Sequence, residues 1–273
     1  MTLDLHIHST KSDGELTPKE IVDEATKAGL NMISFTDHDQ IEGYHLAKPY
    51  AEQTGITLIP GIELNTDGMD GDLHILGYHF DPHHEEIVKH IAWRMKDRRQ
   101  WAQKIVTQLK KMNYDIDFAS CSKRAKGGII VRTHIADELV SQGYFTNSKN
   151  AYTTLLQKGA PAFSERSSFT AKDAISLIHK AGGEAYLAHP GIYPSKLPIE
   201  RIVSYGLDGI EVYHSKHTDQ QITYWKNRAQ EFGLKISGGS DHHGPNSRNP
   251  YPIGSVLIDA ECIKQWNKEV SLS

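Results

Sequence analysis

An α/β fold, a parallel sheet or β/α barrel interrupted by a helical insertion, is what this sequence predicts, and three observations carry the prediction. Short runs rich in Val, Ile, Leu and Tyr alternate with amphipathic helical segments, the pattern of strands joined by crossover helices. That alternation stops between residues 84 and 165, where the spacing is helical. Histidines and carboxylates fall at the C-terminal ends of successive strands, where parallel β/α folds build their sites.

The first predicted strand covers 3–8, and its alternation puts His6 and His8 on one face and Leu3, Leu5 and Ile7 on the other, with Asp13 close behind. Two parallel imidazoles with a carboxylate nearby begin a metal site. Taken alone, the pair fits two surface histidines on an edge strand equally well. A helix follows with Thr17 as N-cap, Pro18 at its first position, Glu20 completing a capping box and Gly29 as its stop; Ile21, Val22, Ala25 and Ala28 form its apolar face. Strands are predicted at 32–36, 57–62, 73–79, 185–189, 208–213 and 235–240. Helices are predicted from Thr170 and Asp173 to Gly182, and from Asp219 to Gly233.

Within 84–165, Ile87, Ile91, Trp101, Ile105 and Leu109 recur at helical spacing from Glu85 to Met112, and helical stretches follow at His134–Val140 and Asn150–Lys158. The chain therefore divides into a barrel domain, 1–83 with 166–273, and a helical insertion, 84–165, expected to cap one end of the barrel. His83, His84 and His90, and the basic face bearing Arg94, Arg98 and Arg99, read as solvated; of the three arginines only Arg99 is taken as a substrate contact. Lys123, Arg124 and Lys126 before Gly127-Gly128 form a basic loop.

The 273 residues suffice for a full core. With 30 Lys+Arg against 34 Asp+Glu, no basic surface argues for stable binding to long or duplex nucleic acid. Cys121 and Cys262, the only cysteines, form no C-x-x-C pair, which excludes thiolate zinc sites and suits a reducing cytoplasm. No apolar run reaches membrane-spanning length and no leader is evident, so a cytoplasmic monomer without membrane contact is expected. Histidine is the compositional outlier: the 16 present exceed the 7 Phe and 4 Trp together.

Several strand ends carry these groups. Asp37-His38-Asp39 follows 32–36, Glu63 follows 57–62, His74 lies in the fourth strand, His189-Pro190 follows 185–188 and Asp241-His242-His243 ends the last. With His6-x-His8, Asp13-Gly14, Pro60-Gly61-Ile62-Glu63, Leu187-Ala188-His189-Pro190 and Gly239-Ser240-Asp241-His242-His243, the chain resembles the PHP family, the polymerase and histidinol phosphatase superfamily, from Leu3 to about His243. Val131-Arg132-Thr133-His134-Ile135-Ala136 and Glu211-Val212-Tyr213-His214 resemble its branch of nucleoside 3',5'-bisphosphate phosphatases and 5'-to-3' exoribonucleases.

The resemblance implies a distorted (β/α)7 barrel with a trinuclear centre: His6, His8, Glu63 and Asp241 around the first metal, Glu63, His74 and His189 around the second, and Asp13, His38 and His243 around the third. Period-two geometry puts Asp241 and His243 on one side and leaves His242 a bystander. Three divalent ions bring six positive charges against three carboxylates, Asp13, Glu63 and Asp241, so the centre stays positive and favours phosphate. Nitrogen and oxygen donors without sulfur suit manganese, the favoured ion, or zinc or iron. No catalytic side chain is expected beyond a hydroxide held by the metals.

Arg132 and His134 are expected to clamp a second phosphate, the alternative being a helix-start Arg and a structural His. His214 points toward the barrel mouth, to substrate or to the ligands behind it. The expected substrates are nucleoside 3',5'-bisphosphates, losing the 3'-phosphate, and short oligonucleotides degraded from the 5' end. A histidinol-phosphate-type phosphomonoesterase would share the centre, and a non-catalytic metal-binding or nucleotide-sensing module is the alternative of another class.

Overall fold

A computed structural model describes residues 2–125, 130–247 and 249–270, with side chains as far as residue 267. Two compact units divide it: residues 1–88 with 168–273, and residues 89–167. The division falls inside a single helix, α3 (Glu85–Lys111), slightly beyond the boundaries that the loss of strand pattern suggested.

The first unit holds eight strands in two sheets. β1 (Leu3–Ile7), β2 (Met32–Phe35) and β3 (Thr57–Ile59) form a parallel sheet. β4 (Gly61–Asn65), β5 (His74–Tyr78), β6 (Glu184–Leu187), β7 (Gly209–His214) and β8 (Lys235–Gly239) form the second, in that order. The strand predicted at 57–62 is therefore broken. Pro60 has no N–H to give to a ladder, and the chain changes sheet there.

β5 runs antiparallel to both β4 and β6, with no helix between β4 and β5, so uniform β-α alternation does not hold at this point. Single bridges, Ile7 with His242 and His38 with Glu63, link the edges. The ladders do not close the two sheets into one barrel.

The punctuation read from the sequence acts as expected. α1 (Pro18–Lys27) has the Thr17–Glu20 capping box, and the helix over Ala171–Lys180 has its counterpart from Thr170 and Asp173. Ile21, Val22 and Ala25 pack with Ile7, Ile33 and Phe35 in the core. A helix at Glu42–Thr54 was not anticipated, because Pro49 inside it masks a buried face of Tyr44, Ala47 and Ala51. Short helices at Ile199–Ser204 and Ala260–Val270 complete this unit beside the predicted one at Asp219–Phe232.

In the second unit, α3 and short helices at Phe118–Arg124, Arg132–Ser141 and Ser148–Ala151 enclose Ile105, Leu109, Ile135, Leu139 and Leu156. The expected solvated face of α3 needs correction: His90, Arg94 and Arg98 are 8%, 1% and 4% exposed. The Arg94 and Arg98 guanidinium groups lie 4.8 and 5.7 Å from the Trp93 and Trp101 rings, and the His90 ring lies 5.4 Å from that of Trp93, tilted by 50°; planar cations over aromatic faces tolerate such burial. Lys126 and Gly127-Gly128 of the predicted basic loop lie outside the described residues.

β1 and β8 meet without room to spare. A Cβ on Gly239 would stand 2.4 Å from the His6 nitrogen and 2.5 Å from the His6 Cβ. Gly239→Ala is accordingly expected to destabilise the fold by about 1–3 kcal/mol, seen as a lower thermal midpoint. An unchanged midpoint would contradict this packing.

Candidate metal centre

Strand ends bring the predicted residues to one place. His6 and His8 lie at the end of β1, His38 follows β2, Glu63 sits within β4, His189 follows β6 and Asp241 follows β8. His74 is the first residue of β5, which looks like the wrong end of a strand. Because β5 is antiparallel to its neighbours and His74 pairs with Asn65 at the end of β4, its start lies beside their ends. His189 and Asp241 leave their strands with positive φ of 31° and 53°, a conformation costly for residues with a Cβ and typical of functional sites.

Hydrogen bonds fix which nitrogen each imidazole turns inward. His6 Nδ1 donates to Glu211 Oε1 at 2.9 Å. Ser12 Oγ donates to Asp37 Oδ1 at 2.6 Å and so can accept His8 Nδ1–H at 3.4 Å. His243 Nδ1 donates to the Asp241 carbonyl at 2.8 Å. In each ring this turns Nε2 to the centre, with a lone pair there when the ring is neutral.

There the inward-facing atoms crowd together. His6 Nε2 and His8 Nε2 are 3.1 Å apart, each 3.3 Å from Asp241 Oδ1, and 3.3 and 3.1 Å from Glu63 Oε2. With both rings neutral, four acceptors would converge with no donor among them, an arrangement that protons or a metal cation resolve. Glu63 is the hub: Oε2 also faces His38 Nδ1 at 3.1 Å, while Oε1 faces His74 Nδ1 at 2.8 Å and His189 Nε2 at 3.1 Å. Buried Glu63 Oε2, His38 Nδ1 and His243 Nε2 have no hydrogen-bond partner.

Three groups have ligand atoms within 4.8 Å of one another: His6, His8 and Asp241; His38, Glu63 and His74; His8, Asp13, His38 and His243. The nine residues implied by the family resemblance are brought together, but His8 and His38 are shared between groups. His189 stands on Glu63 alone rather than grouping with His74. His242 turns away, its Nδ1 donating to the Tyr251 carbonyl.

The electrostatics show the same demand for positive charge. Burial alone would lower the His6 pKa, but Glu211, Glu63 and Asp241 raise it well above the usual value. For His8, burial is likewise outweighed by Asp241 and Glu63, and the ring is pushed up to about 10. Glu63 and Asp241 are held well below the carboxylate range because His38, His74 and His6, and His6, His214 and His8, outweigh burial. Burial dominates at His38, which falls to about 3, and at His189, which is also lowered.

The raised pKa values of His6 and His8 favour protons on these rings in the metal-free protein, which a metal would displace. Adding Mn2+ at pH 8 is expected to release protons, measured as a heat of binding that varies with the ionisation enthalpy of the buffer. A heat independent of buffer would contradict the protonated state.

The expected substrate contacts have protein partners of their own. Arg132 lies over the Trp101 and Phe163 rings at 5.2 and 4.8 Å and donates to the Ser164 carbonyl at 3.4 Å. His134 Nδ1 accepts the Val131 N–H at 3.3 Å at the start of its helix. Arg99 is exposed, 5.6 Å from the Phe118 ring. The His214 side chain has no exposed surface. Its Nδ1 accepts the Lys216 N–H at 3.1 Å, so its Nε2–H is the proton shared with Asp241 Oδ2 at 3.3 Å.

Supporting residues were missed. Glu211 accepts from both His6 Nδ1 and, at 2.7 Å, the His189 N–H; Asp37 ties Ser9 and Ser12 together; Asn249 Nδ2 donates to Asp241 Oδ2 at 2.6 Å. Glu211 and His214 would face opposite sides of a regular strand, but an irregularity between Glu211 and Tyr213 changes the parity. The one signal in the sequence was an acid in the middle of an apolar strand. A pocket of about 280 Å3 opens onto the centre, with Tyr193, Lys216 and Asn249 among its lining.

A family model described as PHP domain matches residues 4–155. The chain is 34% identical over 271 residues to a 5'-3' exoribonuclease of Haemophilus influenzae, covering 97% of this chain and 98% of that protein. It is 30% identical over 249 residues to a 3',5'-nucleoside bisphosphate phosphatase of Chromobacterium violaceum, covering 89% and 87%. A solved structure of a candidate metal-dependent phosphoesterase from Bifidobacterium adolescentis superposes with a TM-score of 0.82 at 28% identity, covering 96% of this chain and 94% of that one.

Proposed function

The chain belongs to the PHP domain family, and on that premise we propose that it hydrolyses phosphate esters of nucleotides using divalent metal ions held by His6, His8, Asp13, His38, Glu63, His74, His189, Asp241 and His243. The observation that carries this reading is the convergence of His6 Nε2 and His8 Nε2 with Glu63 Oε2 and Asp241 Oδ1, each nitrogen within 3.3 Å of both oxygens. Held there, divalent ions would acidify a water and neutralise charge on phosphoryl oxygens.

The protein supplies the rest. Glu63 spans neighbouring groups, Glu211 fixes the tautomer of His6, and His214 holds Asp241 in register with the Lys216 backbone. Three ions, one for each acid–imidazole group, fit the donor set; manganese is preferred, with zinc or iron compatible with the same nitrogen and oxygen ligands. We read the barrel domain as a distorted (β/α)7 barrel in which β3 and β4 count as one strand broken at Pro60, linked at the Ile7–His242 and His38–Glu63 bridges. The helical insertion then serves substrate choice.

The proposed substrate is a nucleoside 3',5'-bisphosphate losing its 3'-phosphate, with short oligonucleotides shortened from the 5' end as the companion activity; the names of the two curated relatives support both. Mn-loaded protein is expected to release phosphate from the bisphosphate or mononucleotides from a 5'-phosphorylated oligonucleotide, and turnover of neither would end this reading. Arg132, with His134 and Arg99, is proposed to read the second phosphate. Arg132→Ala should raise KM for the bisphosphate about tenfold more than for an aryl phosphate, the size of one charge-assisted hydrogen bond. Equal effects on the two substrates would remove Arg132 from that role.

A further inference from the structure

We propose that Lys216 is a substrate contact that holds a phosphate oxygen turned away from the metal ions, an inference that rests on the phosphoesterase reading. Lys216 lines the pocket that opens onto Glu63, His189 and Asp241. It is exposed, and among the described residues no acid pairs with its ammonium. No other Lys or Arg lines the pocket among those residues.

The backbone around it is pinned on both sides. The Lys216 N–H donates to His214 Nδ1 at 3.1 Å. His217 donates from Nδ1 to the Val212 carbonyl at 2.9 Å and accepts the Gly191 N–H on Nε2 at 3.0 Å. Thr218 then caps the next helix. A fixed Cα with an unpaired, four-carbon side chain at the pocket is an arm whose charge has no structural use in the free protein.

Tyr193 stands at the same pocket as a second donor. Its hydroxyl oxygen accepts the His74 N–H at 2.9 Å, which leaves its own proton to give. A tetrahedral phosphate cannot direct every non-bridging oxygen at the cations below it. The remaining oxygen meets an ammonium and a phenol, a pairing that favours a phosphate anion over a neutral ligand.

The test is calorimetric binding of inorganic phosphate to Mn-loaded protein, with metal content measured on every sample. Lys216→Ala is expected to weaken phosphate binding about 10- to 100-fold, the range of a hydrogen bond to a charged group, with metal content unchanged. Lys216→Arg, which keeps the charge, is expected to restore most of the affinity. If wild type binds phosphate and Lys216→Ala binds it equally well with its metals in place, the Lys216 contact is overturned while the phosphoesterase reading stands. If fully loaded wild type neither binds phosphate nor turns over either nucleotide substrate, both fall together.

Discussion

Glu63→Gln is expected to lower kcat/KM by at least ~10^3-fold, because the stabilisation of several kcal/mol that metal ions supply at a phosphoryl group is lost with them. Among the described residues no other touches as much of the centre: its two oxygens face His6, His8 and His38 on one side and His74 and His189 on the other. Gln keeps the shape and removes the charge. Its amide N–H2 can donate to the inward imidazole lone pairs, so the metal-free variant should fold. What disappears is the response to metal: wild type gains about 2.7 kcal/mol at 100 times the dissociation constant, seen as a rise in thermal midpoint on adding Mn2+, and the variant gains nothing comparable. A variant with wild-type metal content and wild-type turnover would show that Glu63 is not the hub.

Glu211→Ala should show the next largest effect, for a different reason. Glu211 is fully buried and satisfies two donors at once, the His6 ring and the His189 backbone. Its carboxyl pKa is lowered because His6, then His214 and His189, outweigh burial. Removing it strands both donors and frees the His6 ring to turn. Breaking a buried charged pair in this way costs about 3–5 kcal/mol of stability, and losing a partner that orients a metal-ligating histidine costs about 10- to 100-fold in metal affinity. Glu211→Gln should recover part of the stability but not the affinity, since an amide oxygen can satisfy only one of the two donors. Urea unfolding and Mn2+ titration check the pair, and wild-type Mn2+ affinity in both variants would assign Glu211 to packing alone.

The difference between these two residues also marks what the sequence could convey. Glu63 was legible because the motif Pro60-Gly61-Ile62-Glu63 closes a strand whose partners also end in His or Asp, and a ligand set recurs at strand ends for geometric reasons. Glu211 was quoted only as part of a branch motif, since its inward direction depends on the strand irregularity before Tyr213, which alternation cannot anticipate. His74 was legible as a residue but not as a position, because only an antiparallel β5 brings the start of a strand to the site.

The helix starts at Thr17 and Thr170 could be read locally, since a capping box is complete within four residues. The helix containing Pro49 could not, because tertiary packing overrides the propensity there. Arg94 and Arg98 make the same point about charge: on a helical wheel they read as a solvated face, yet they are buried over Trp93 and Trp101. Of the three α3 arginines, the one taken as a substrate contact, Arg99, is exposed.

The most direct test of the account is to measure bound metal and product together: elemental analysis of Mn-loaded protein alongside phosphate release from a nucleoside 3',5'-bisphosphate, for wild type and for Asp241→Asn. Wild type is expected to bind divalent ions at up to one for each of the three acid–imidazole groups, with turnover that a chelator abolishes and Mn2+ restores, and the variant to lose both metal and turnover. Turnover that survives complete removal of metal, or metal binding and turnover unaffected by Asp241→Asn, would contradict it.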